Sequence, residues 1–236
     1  MNTRHILVTG ASSGIGRAIC EKLLPLSAQL TGLARDFGKF SPEDKRFHPA
    51  PIDLANLDAL PDQLKRLSAG LPQPPDTLIC NAGSGAFGHL EQFSYSQIRA
   101  LTDLNFTSHA FIARSFLPAM KQAGRGDIIF IGSEAALRGG RKGSLYCAAK
   151  FALRGFAQSL REECAGAGVR ISLINPGMVK TPFFDKLNFA PGDEPDNYLL
   201  PGDVAEAVAL ILQSRPECVF DEINLSPRKH VVRTKP

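Results

Sequence analysis

The stretch Thr9-Gly10-Ala11-Ser12-Ser13-Gly14-Ile15-Gly16 decides how this chain folds. Before it, Arg4 to Thr9 reads as a short buried strand. After it, Arg17 to Leu24 has helical spacing and stops near Pro25. A glycine-rich turn between a buried strand and a helix start makes a phosphate cradle. Its glycines let the backbone approach a pyrophosphate, and the free amides and helix dipole favour the negative charge. The turn is longer than that of the G-x-G-x-x-G fingerprint, so that rule does not transfer directly.

Working outward, strand and helix patterns alternate to the end of the chain. Gln29 to Ala34 is a second strand, ending in Ala34-Arg35-Asp36. In a doubly wound sheet this end meets the adenosine ribose, where a basic residue suits a 2′-phosphate and an acidic one a free hydroxyl. Arg35 can pair with a phosphate bidentately. Phe37 to Lys45 is too broken for a full crossover helix. Phe47 to Asp53 carries Pro49 and Pro51, which a central strand excludes and an edge strand tolerates. In the order 3-2-1-4-5-6 the third strand is the edge, so propensity and topology agree.

Asn56 to Ala69 is amphipathic, and Asp76 to Cys80 is a fourth strand ending at Asn81-Ala82-Gly83. Gln97 to Gln122 reads as one long helix with Asn105 near its middle. Asp127 to Gly132 is a fifth strand, closed by Ser133. A helix through Ser144-Leu145-Tyr146-Cys147-Ala148-Ala149-Lys150 follows, then the strand Val169 to Ile174 and the turn Asn175-Pro176-Gly177. Thr181 to Leu200 has no clear period, Asp203 to Gln213 is a helix, and Val219 to Leu225 a closing strand.

Tyr146 and Lys150 share one helical face at a spacing of four. A free phenol ionises near pH ~10, and a neighbouring ammonium is expected to lower that value. Such a tyrosine gives a proton to a carbonyl oxygen or takes one from an alcohol.

Composition narrows the class. At 236 residues, with 44% hydrophobic and 21% charged, the chain suits one α/β domain with a large core. The net charge of +4 is small and dispersed; only Arg138 to Lys142 and Arg228 to Lys235 are locally basic, which gives nucleic-acid binding little support. Five scattered cysteines without a C-x-x-C spacing suit reduced thiols. No His/Cys/carboxylate cluster suggests a metal. No signal-peptide pattern and no membrane-length apolar run appear, so a cytoplasmic protein is expected.

The chain resembles the short-chain dehydrogenase/reductases along nearly its full length. The match rests on Thr9-Gly10-x-x-x-Gly14-x-Gly16, Asp53, Asn81-Ala82-Gly83, Asn105, Ser133, Tyr146-x-x-x-Lys150 and Asn175-Pro176-Gly177 with Val179 and Thr181. The resemblance implies a single doubly wound Rossmann domain: a parallel sheet of about seven strands with helices on both faces. Residues 1–130, roughly, would form the cofactor half and 131–236 the catalytic and substrate half.

It also implies roles. Tyr146 would be the acid/base, with Lys150 lowering its pKa and holding the nicotinamide ribose. Ser133 would polarise the substrate oxygen, and Asn105 would hold a water linking Lys150 to solvent. Cofactor contacts would come from Gly10, Ser12, Ser13, Gly14, Ile15 and Gly16, from Arg35, from Asp53 at the adenine, and from Asn81, Ala82 and Gly83. Pro176, Gly177, Val179 and Thr181 would complete the nicotinamide end.

Arg35 points to NADP(H) over NAD(H). The implied activity is hydride transfer between that cofactor and a carbonyl or secondary-alcohol substrate, in a homodimer or homotetramer. The alternative is an NADP(H)-binding regulator without turnover. Glu134 stands where a small polar residue is more usual; it would alter substrate polarity or point to solvent. Phe183, Phe184, Leu187 and Phe189 suggest an apolar lid over the substrate.

Overall fold

The computed structural model describes residues 4–38 and 40–235. Its strands are β1 (His5–Thr9), β2 (Gln29–Ala34), β3 (Phe47–Pro51), β4 (Thr77–Cys80), β5 (Gly126–Ile131), β6 (Val169–Pro176), β7 (Phe189–Pro191), β8 (Glu222–Leu225) and β9 (Val232–Thr234). Seven of them form one parallel sheet in the order β3-β2-β1-β4-β5-β6-β8. β1, β4, β5 and β6 are buried throughout their length, as a parallel sheet covered on both faces requires. β3, with its two prolines, lies at the edge as its sequence demands.

The helices are α1 (Gly14–Leu23), α2 (Leu60–Gly70), α3 (Tyr95–Thr102), α4 (Ser108–Ala123), α5 (Ser144–Cys164) and α6 (Pro201–Gln213). Strand alternation feeds two cores. Ile6 and Val8 of β1 pack with α1 and α6 on one face, and Leu7 packs with α2, α4 and α5 on the other. The fold is therefore doubly wound, and its sheet has the seven strands expected.

Between β2 and β3 no helix forms among the described residues. The ring of Phe47 instead holds this loop, with Phe37 and Phe40 edge-on at 5.9 and 5.4 Å. The single helix expected over Gln97 to Gln122 is replaced by α3, a π-type turn over Asp103–Thr107, and α4. The cause is Asn105. Its side-chain amide donates to Leu101 O at 2.9 Å, the carbonyl its own N–H would take in an α-helix. The stretch Thr181 to Leu200 holds two short 3₁₀ turns and β7, and the C-terminal tail returns as β9 to pair with β7.

One buried ion cluster ties the far end of the sheet together. Asp127 of β5, 3% exposed, accepts from Arg170 of β6 at 2.6 Å and pairs through its other oxygen with Arg4. Arg170 also donates to Ser214 Oγ, Arg215 O and Cys218 O at 2.9, 3.1 and 3.0 Å, holding the end of α6. Asp127→Leu should therefore cost about 3–5 kcal/mol, because it leaves a buried guanidinium unpaired. Urea denaturation measures this; a midpoint equal to the parent's would contradict it.

Candidate active site

The carboxyl ends of β1, β4, β5 and β6 converge where the strand order reverses. At β1 the glycine-rich turn is as tight as its sequence suggests. Gly10 and Gly14 have φ of +67° and +53°, a region side chains disfavour. A Cβ at Gly16 would lie 2.2 Å from Gly10 O and 2.6 Å from the Asn81 amide nitrogen. Ser13 precedes α1 with no side-chain cap bond, and no acid occupies the first turn. The first amides of α1 are thus available to an anion, flanked by Ser12, Ser13 and Ile15.

Thr9 fastens this turn to the end of β4. Its hydroxyl accepts from Asn81 N at 2.9 Å and Ala82 N at 3.0 Å, while the Asn81 amide donates to Thr9 O at 2.9 Å. Gly83 is required by its neighbours: a Cβ there would stand 2.7 Å from Asn105 Oδ1 and 3.9 Å from Lys150 Nζ. The Asn105 side chain bonds both ways to Ser84, donating to its O at 3.1 Å and accepting from its N at 3.3 Å. It therefore fixes the loop after β4.

Ser133, Tyr146 and Lys150 come together at the ends of β5 and α5. Ser133 caps the turn Glu134–Ala136, its Oγ accepting from Ala135 N at 3.1 Å. Lys150 is buried; it donates to Ile131 O at 3.0 Å and lies 5.9 Å from the Tyr146 ring centroid. Burial pushes the ammonium down to about 8. The phenol departs from the sequence expectation. Burial pushes it up to about 12, and the nearby Ser133 side chain offsets this only in part. Desolvation of the phenolate dominates, while the Lys150 ammonium stands over the ring and donates to a backbone carbonyl.

The remaining positions are distributed around the same rim. Arg35 is exposed and makes no ion pair among the described residues, whereas Asp36 accepts from Gly38 N at 2.7 Å. Asp53 follows β3 and accepts from Ala55 N at 3.1 Å. Gly177 N donates to Leu225 O at 2.8 Å, Val179 bridges Leu199, and Thr181 caps the turn Pro182–Phe184 opposite Gly14.

Several further side chains contribute in ways the motifs do not announce. Asn175 accepts from Ser133 N at 3.3 Å and donates to Asn224 at 3.0 Å, so it positions Ser133 from beneath. His109, one turn after Asn105, meets Ala82 O at 2.8 Å and is pushed by burial down to about 3. Glu134, partly exposed, meets His230 of the tail at 3.2 Å. Phe87 lies over the Tyr146 ring, with centroids 5.1 Å apart.

A model of the short-chain dehydrogenase family matches residues 4–191. The chain belongs to that family. It is 32% identical to estradiol 17-beta-dehydrogenase 1 of Rattus norvegicus over 202 residues, covering 81% of this chain and 59% of the relative. It is likewise 32% identical to retinol dehydrogenase 8 of Homo sapiens over 191 residues, covering 78% of this chain and 61% of the relative. The chain thus spans about three fifths of these relatives' length. A metagenomic short-chain oxidoreductase solved in complex with NADP superposes with a TM-score of 0.81 at 31% identity, covering 96% of this chain and 97% of the other.

The Thr9 contacts give a direct test of the junction. Thr9→Val keeps the shape but strands two buried amide donors, and should lower stability by about 1–3 kcal/mol. Thermal unfolding reads the loss; an unchanged melting temperature would show that the hydroxyl carries no weight.

Proposed function

We propose that this protein is an NADP(H)-dependent oxidoreductase that interconverts a carbonyl and a secondary alcohol, with Tyr146 as the proton donor and acceptor. The observation that carries this is the meeting of a buried, protonated phenol, a serine hydroxyl and a buried ammonium beside a glycine cradle that side chains would fill. The cofactor site fits a dinucleotide on the protein's own terms: close backbone approach at Gly16, uncapped amides at α1, and a free arginine at the end of β2. Bound there, the nicotinamide supplies or accepts the hydride.

The chain's residues do the rest. Ser133 donates to the substrate oxygen and so polarises the C=O bond. The Tyr146 phenol, held in its protonated form, delivers its proton to that oxygen as negative charge develops there. Lys150 stabilises the resulting phenolate and orients the ribose. Asn105 holds the loop around Ser84 and keeps the space beside Lys150 open to a water. Asp53 serves the adenine, and Asn81, Ala82, Gly83, Pro176, Gly177, Val179 and Thr181 line the channel.

Arg35 supports NADP(H) over NAD(H), because Asp36 is committed to its own turn and leaves the guanidinium unopposed. Arg35→Ala should weaken NADPH by roughly ten- to a hundredfold, the loss of one charged bond of about 1.5–3 kcal/mol, and leave NADH unchanged. Equal affinities in the unmodified protein would refute the preference. Phe151 on α5 and Tyr95 on α3 are exposed apolar rings, which supports pairing of subunits through this side of the molecule in a dimer or tetramer. The five free cysteines suit a cytoplasmic setting.

A panel of aldehydes and ketones followed by NADPH absorbance tests the activity. Its pH dependence is specified by the site. With Lys150 near 8 and required in its charged form, kcat/KM for reduction should be flat below about pH 8 and fall about tenfold per unit above it. Lys150→Ala should remove that limb. A profile with no break between pH 7 and 9 would deny the ammonium this role.

A further inference from the structure

The C-terminal tail does not lie free on the surface. β9 pairs antiparallel with β7, placing Thr234, Arg233 and Val232 opposite Phe189, Ala190 and Pro191. Gly192 N donates to Val231 O at 2.9 Å, Lys235 N to Asn188 O at 2.8 Å, and Lys229 N to Asp196 O at 2.8 Å. Acidic groups of the loop Thr181 to Leu200 and of the turn after Ser133 meet basic residues of the tail. Asp196 is bracketed by Arg228 and Lys229 at 3.2 and 2.9 Å, Asp193 faces Arg233 at 3.3 Å, and Glu134 meets His230. The basic stretch read from sequence is therefore consumed within the fold.

What the tail holds leads straight to the phenol. Phe189, on β7, stands edge-on to Phe87 with centroids 4.9 Å apart, and Phe87 lies against Tyr146 at 5.1 Å. Phe183 also stands against it at 5.9 Å, and Tyr146 is left only 8% exposed. A carbonyl reaches the hydroxyl only within the space these rings leave. Exposed ion pairs hold little on their own, and a two-stranded ribbon is weak, so backbone pairing between β7 and β9 sets how firmly Phe189 stands.

We propose that Phe189 is a specificity-determining residue whose position is set by the C-terminal strand. The site with the strand in place admits compact apolar carbonyl compounds and excludes those with a second bulky group. This rests on the reductase reading above, and it extends that reading to substrate size.

The test compares Arg233→Pro, which removes a backbone donor from β9, with Arg233→Gln, which removes only the charge, and with Phe189→Ala. Two readouts are taken on the full chain: amide hydrogen exchange over residues 189–192, and kcat/KM for acetophenone and benzophenone with NADPH. Arg233→Pro should speed exchange over β7, and both it and Phe189→Ala should raise the benzophenone-to-acetophenone ratio about tenfold or more. Arg233→Gln should match the parent in both. Unchanged exchange in Arg233→Pro would overturn the strand's role whatever the turnover, and an unchanged ratio in Phe189→Ala would overturn the selectivity. If the unmodified protein reduces neither ketone nor any other carbonyl, the reductase reading fails and the selectivity with it, while the exchange result stands by itself.

Discussion

The close contact between the first turn of α1 and the end of β1 is the constraint on which the rest depends. Gly16 sits where any side chain would strike Gly10 O and Asn81, and Thr9 binds the two amides that begin the loop after β4. These contacts bring the ends of β1 and β4 together at the point where the sheet reverses its order. Gly83, next in line, leaves the gap that Asn105 and Lys150 share. The glycine turn and the Tyr146–Lys150 pair thus become neighbours through close backbone packing and the side-chain bonds of Thr9 and Asn81.

Around Tyr146 and Lys150, burial acts on the phenol and the ammonium in opposite senses and moves them apart. The phenol is raised and the lysine lowered, both chiefly because the charged form loses water. At neutral pH the tyrosine holds its proton firmly. The lysine keeps its charge by a narrower margin, helped by its bond to Ile131 O.

The sheet, its edge strand, the tight glycine turn after β1 and the shared helical face of Tyr146 and Lys150 were legible in sequence, because each rests on local chemistry. Glycines mark close approach, Pro49 and Pro51 mark an edge, and a spacing of four marks one helical face. What escaped depends on distant partners. The break at Asn105 arises because a side chain competes for Leu101 O, which periodicity does not register. Asn175 lies in a motif that reads as a turn, yet its amide serves Ser133 across the sheet. The tail reads as a solvated basic run, since its strand is exposed and owes its order to β7. The phenol's direction of shift was misjudged for the same reason: spacing shows a nearby cation and hides the loss of water.

The most direct measurement compares Tyr146→Phe with the parent in two respects, NADPH affinity by calorimetry and single-turnover reduction of a good carbonyl substrate. The substitution removes one oxygen from a ring packed against Phe87 and Phe183. The account predicts NADPH affinity within about threefold of the parent, and reduction slower by about a hundredfold or more. Full reductive activity in Tyr146→Phe would contradict it, since the proton would then come from elsewhere.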